Sequence, residues 1–181
     1  MYYDKPGKEN TKKTVELAIN KAREKGIKHI VVASNSGDTI DFFKDVEDLN
    51  IICVSHSYGY PVAGKNDMPI EKREEIEKSG IKVLTTTHVL SGAERGLSSK
   101  FGGAYPVEII AHTLRMFGQG TKVCVEIAVM AVDSGLIPYM EPVIAIGGTG
   151  RGADTSIIIR TSHASSILDT KIDEIICKPV I

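Results

Sequence analysis

Ile51-Ile52-Cys53-Val54 is apolar without alternation. It is too short for a core helix and rich in branched side chains, so it reads as a strand buried on both faces, the habit of a parallel sheet. Ile27 to Ala33 is a second such strand. Ahead of it, Val15, Ala18, Ile19 and Ala22 recur at helical spacing, with Asn10 or Thr11 as cap and Gly26 as stop. Between the two strands, Phe42, Phe43, Val46 and Leu49 predict a second helix. Helix, strand, helix, strand requires an α/β fold, because parallel neighbours need long crossovers.

The remaining chain extends the pattern. Pro69 to Ser79 is a polar helix closed by Gly80, and Ile81 to Thr85 a third strand. Residues 86–105, rich in Ser and Gly, read as a long functional loop with lid-like composition. Pro106 opens a helix that Gly118 stops, and Thr121 to Ser134 is a helix apolar nearly all round. Its interior charge, Glu126, predicts a buried pairing with a cation such as Arg115, or a carboxyl facing a pocket. Val143 to Ile146, Ser156 to Arg160 and Ile175 to Val180 are the last strands. The expected architecture is one domain over residues 1–181, a three-layer α/β/α sandwich with a mostly parallel sheet and an antiparallel strand.

With 181 residues, 42% hydrophobic, the chain can bury one good core. Its 22 basic residues balance 23 acidic ones and form no stripe, which argues against nucleic acid. No apolar run approaches a membrane span, and the start lacks a signal peptide's order, so a cytoplasmic protein is expected. Cys53, Cys124 and Cys177 stand apart in apolar stretches and read as reduced core residues. His112 and His163 have no partner in metal-ligand register, and neither a nucleophile elbow nor a P-loop occurs.

Two loops carry the chemistry. Ser34-Asn35-Ser36-Gly37-Asp38-Thr39 follows a strand and opens a helix-like run. Unpaired N–H groups there can hold a phosphate, with hydroxyls as further donors and Gly37 allowing close approach. The alternative is that Ser36 or Asp38 simply caps the helix. Gly147-Gly148-Thr149-Gly150-Arg151-Gly152 follows a strand but leads into another strand, so it is no dinucleotide fingerprint. Its successive glycines can form an anion nest beside the Arg151 guanidinium, or merely turn a hairpin. Near these loops, His56, Tyr58 and Tyr60 follow the second strand and can stack on a flat ring or pack the loop. His88, Glu94 and Arg95 lie beyond the third strand, where Glu94 is expected to contact Arg95 or Lys100.

Together the two loops resemble the carboxy-terminal α/β domain of pyruvate kinase. That family has Thr-x-Ser-Gly-Arg-Ser or Thr where this chain has Ser34 to Thr39, and Gly-x-Gly-x-Thr-Asn-Thr where it has Gly150 to Thr155. The resemblance implies a phosphosugar effector site rather than a catalytic one. Asp38 replaces the family's arginine, which disfavours a sugar bisphosphate and suits the hydroxyls of a ribityl or ribose chain. The chain is also similar to a small archaeal and bacterial family of stand-alone domains of this type, in stretches such as Lys5-Pro6-Gly7, Thr87-His88-Val89-Leu90-Ser91 and Val123 to Ala128. That likeness implies flavin mononucleotide (FMN) as ligand, held at Ser34 to Thr39, His56, Tyr58, His88 and Gly148 to Gly152. The expected function is a carrier or sensor of a phosphate-bearing molecule, without pyruvate kinase activity. A flavin-dependent oxidoreductase using His56 or His88, or a phosphosugar-responsive regulatory subunit, are the rivals. The apolar C-terminal half is compatible with a homo-oligomer.

Overall fold

The computed structural model describes residues 1–180. Seven strands form one sheet in the order β1-β7-β6-β5-β2-β3-β4. They are β1 (Tyr2–Tyr3), β2 (His29–Ala33), β3 (Asn50–Ser55), β4 (Lys82–Thr85), β5 (Pro142–Gly147), β6 (Thr155–Arg160) and β7 (Lys171–Pro179). All adjacent pairs are parallel except those of β6, which runs antiparallel to both β5 and β7. This is the expected sheet, extended by the two-residue β1 that the sequence reading did not include.

Five α-helices cover it: α1 (Thr11–Lys25), α2 (Ile70–Lys78), α3 (Gly92–Phe101), α4 (Pro106–Arg115) and α5 (Gln119–Asp133). Because strand side chains alternate faces, each central strand feeds two cores. Ile30, Val32, Ile51, Cys53, Ile144 and Ile146 meet Val15, Ala18 and Ala22 of α1 and Ile76 of α2. Val31, Ile52, Val54, Val143 and Ala145 meet Cys124, Ala128 and Ala131 of α5 on the other face. Burying each such Ile or Val contributes about 1.5–3 kcal/mol, which is why these strands carry no polar alternation. All three cysteines are buried and free, and burial pushes the Cys53 thiol up to about 12.

Three segments differ from the sequence expectation. The crossover from β2 to β3 is not an α-helix but a 3₁₀ turn, Asp38–Phe43. The regular turn ends at Phe43, so Val46 and Leu49 lie beyond it in irregular chain, while Phe42 is exposed. Residues 92–101, expected as loop, form α3, which buries none of its residues and so leaves no hydrophobic period to read. A 3₁₀ segment at Ala164–Asp169 was also not anticipated.

Candidate functional site

From β2 the chain moves to β3 on one side, whereas β5 returns to pair with β2 on the other, with Val31 beside Ala145 and Val32 beside Ile146. This reversal of winding opens a crevice beyond the carboxyl ends of β2 and β5, the usual ligand position in open α/β sheets. The two loops singled out in the sequence follow these two strands. A cleft of about 1350 Å³ lies there, and Ser34, Asn35, Ser36, Asp38, Thr39, Gly148, Gly150, Arg151, Gly152, His56 and His88 line it. Gly37, Tyr58 and Thr149 do not line it.

In the first loop the capping hydroxyl is Ser34, not Ser36 or Asp38. Its Oγ accepts from the Thr39 N–H at 3.2 Å, and Ile40 N–H donates to Gly37 O at 3.0 Å. Among the described residues, the N–H groups of Asn35, Ser36, Gly37 and Asp38 have no protein acceptor. Gly37 serves another approach than the one foreseen: at φ 92°, a Cβ there would lie 2.7 Å from Lys72 Cγ of α2. Tyr58 is exposed, and the ring that does reach the cleft is Tyr60, stacked on His56 at 4.4 Å and 25°. His88 meets the same imidazole edge-on at 4.4 Å.

The second loop is organised by Asp154, a fully buried carboxylate. Its Oδ2 accepts from Thr149 N–H and Gly7 N–H, and its Oδ1 from the Thr155 hydroxyl. Ala153 N–H donates to Thr11 Oγ1 at 3.0 Å, tying the loop to the start of α1. These bonds satisfy Thr149 and Ala153, leaving the N–H groups of Gly150, Arg151 and Gly152 without a protein acceptor among the described residues. Arg151 is 72% exposed and only loosely engaged, 3.9 Å from Asp67.

The sequence reading placed Arg95 near the ligand edge but missed the other cations that share the cleft with it. Lys8, Arg95, Arg115 and Lys122 line the cleft with Arg151, against Asp38 and Glu126. Glu126 is buried, but its cation is Lys122, one turn earlier on α5, rather than Arg115, whose Nε donates to Gln119 Oε1 at 2.7 Å. Lys–Glu spacing at i, i+4 was the available signal. The other Glu126 oxygen accepts from Leu90 N–H at 3.0 Å, anchoring the segment that leads into α3. Glu94, expected to pair with Arg95 or Lys100, instead accepts from the Glu108 N–H at the start of α4.

Burial holds the His88 imidazole below its ordinary value of 6.5, against the attraction of Glu126 and with help from His56 and Lys122. The folded state therefore resists a proton that the unfolded chain accepts, so this contribution is present above pH 6.5 and is lost as pH falls below it. We expect the His88 ring resonances to titrate with a midpoint below 6.5, and His88→Gln to reduce the acid destabilisation seen in chemical melts between pH 7 and 5. An unshifted midpoint contradicts the burial of this ring.

Among the described residues, no group of three or more His, Cys, Asp or Glu is placed to hold a metal ion, and no helix is long and apolar enough to cross a membrane. Comparison with known proteins adds the family. A pyruvate kinase from Cryptosporidium parvum is 14% identical, with a TM-score of 0.45 over 83% of this chain and 22% of its own. The pyruvate kinase of that organism in complex with ADP is 14% identical, with a TM-score of 0.42 over 82% and 22%. The chain thus spans less than a quarter of the length of the pyruvate kinases it matches. Residues 12–159, which hold both loops, α5, four complete strands and all but the last residue of β6, match the family model described as Pyruvate kinase, alpha/beta domain, and the chain belongs to that family.

Proposed function

We propose that the cleft binds a phosphorylated, ring-bearing small molecule, with FMN the favoured ligand, and that the protein acts as its carrier or sensor without transferring the phosphate. One observation carries this reading. Two runs of unpaired N–H groups, of which Asn35, Ser36, Asp38, Gly150, Arg151 and Gly152 line the cleft, converge at the ends of neighbouring strands where cations outnumber carboxylates. Such N–H groups favour an anion, and Ser36 and Arg151 add a hydroxyl and a guanidinium to the grip. The stacked His56 and Tyr60 and the edge of His88 supply a flat surface for a ring, and the cleft volume suits a nucleotide-sized ligand.

The test is the visible spectrum and mass of what co-purifies, followed by fluorescence titration of FMN and riboflavin. Ser36→Ala combined with Arg151→Ala is expected to weaken FMN by about 3 kcal/mol, roughly a hundredfold, because two contacts to a charged group are lost. Riboflavin, which lacks the phosphate, should change less than about threefold under the same arithmetic. Equal losses for both ligands would remove the phosphate from these loops. One observation favours the oxidoreductase as second reading: a neutral His88 faces the same cleft as the proposed ring. Bound flavin reduced by NAD(P)H and reoxidised by a specific acceptor supports that reading, and flavin bound without turnover supports the carrier. A colourless protein stabilised only by sugar phosphates overturns both.

A further inference from the structure

Lys122 is a buried lysine that nevertheless opens onto the cleft: its residue is 5% exposed, it lines the cavity, and its ammonium is bound by Glu126. Two further cations, Arg95 and Arg115, face the same cavity. Desolvation and neighbouring positive charge are the two conditions that make a lysine amine available as a nucleophile toward carbonyl compounds, and a carboxylate beside it can move the required protons.

We propose that Lys122 forms a reversible imine with a phosphorylated aldehyde or ketone whose phosphate is held by the loops at residues 34–39 and 150–152. The inference rests on the phosphate site of the proposed function but not on flavin. Glu126 removes a proton from the ammonium, the freed amine attacks the carbonyl carbon, and a C–N bond forms as the C=O π bond breaks, the oxygen taking up the proton that the attacking nitrogen loses. The protonated Glu126 then gives its proton to the departing hydroxyl, which leaves as water. An ammonium and a carbonyl become an iminium and one water, with no oxidant or reductant consumed. Burial holds the Lys122 ammonium below the ordinary lysine value despite the pull of Glu126, and Arg115 and Arg95 press it the same way. Leu90 N–H, bound to the second carboxylate oxygen, keeps Glu126 aimed at the amine.

The experiment is reductive trapping of the intact protein with glyceraldehyde 3-phosphate and cyanoborohydride, read by peptide mass mapping, in parallel with unphosphorylated glyceraldehyde. Modification is expected at Lys122 in at least about tenfold preference over exposed lysines, as desolvated nucleophiles require. Lys122→Arg should abolish it in protein shown by circular dichroism to be folded, and Glu126→Gln should slow it. Labelling that follows exposure, with the 79%-exposed Lys78 ahead of Lys122, overturns the inference on the wild-type protein alone. If both probes label Lys122 equally, and Ser36→Ala with Arg151→Ala changes neither, the imine stands and the phosphate reading of the loops fails. If Lys122 stays unmodified while the double variant weakens FMN binding, the loops stand and the imine fails.

Discussion

Glu126→Ala is expected to destabilise the fold by about 3–5 kcal/mol, the cost of stranding one partner of a buried ion pair. The side chains of Lys122 and Glu126 are 6% and 5% exposed, so each depends on the other far more than on solvent for its stabilisation. The same substitution leaves the Leu90 N–H without its acceptor, adding the desolvation of a buried donor. A double replacement by apolar residues, Lys122→Met with Glu126→Leu, should recover most of that loss, because it removes both charges together. Urea denaturation followed by circular dichroism measures both. A loss below about 1 kcal/mol for Glu126→Ala, the range of exposed pairs, would mean that the pair is solvated and the α5 wall of the cleft is looser than described.

A single methyl group at Gly120 should cost about 2–3 kcal/mol, the upper range for overpacking a filled interior. Elsewhere in a helix the change from Gly to Ala gains up to about 1 kcal/mol of propensity. Here the new Cβ would lie 2.1 Å from Thr155 Oγ1 and 3.0 Å from Asp154 Oδ1, both fully packed, so either α5 or the start of β6 must move. Asp154 is also the residue that shapes the second loop, and Gly120→Ala is therefore expected to weaken ligand binding along with stability. Gly96→Ala is the control. It is a helical glycine in α3 with no atom within 4 Å of the added Cβ, and thermal melts should show it neutral or slightly stabilising. Parallel behaviour of the two variants would contradict the close approach of α5 to the start of β6.

Where hydrophobic burial fixed the structure, it was readable from the order of apolar residues alone. β2, β3 and β5 each present apolar side chains to both faces, and their uninterrupted Ile and Val residues say so without any neighbour being known. The two loops were legible because their position relative to those strands is a matter of chain order, and the pairing of β2 with β5 brings them together. What burial did not determine was obscure. α3 packs nothing inward, and its helicity rests on end contacts such as Glu94 with the Glu108 N–H. The cation for Glu126 was misassigned because Glu126 was read as the interior charge of its helix, although helical geometry brings Lys122 at position i−4 within reach. Arg95 could be placed near the cleft from its position beyond the third strand, but its convergence with Lys8 and Arg115 was not legible, since these residues come from elements whose mutual orientation only tertiary packing decides.

The strand order has a consequence for how the protein matures. The cleft does not exist until β5, residues 142–147, has slotted in beside β2, residues 29–33, so no partly synthesised or N-terminal fragment contains it. Occupancy then staples the opening third of the polypeptide to its closing third. A tight ligand therefore slows global rather than local opening, and its release is an early sign that the sheet has begun to part along its middle seam.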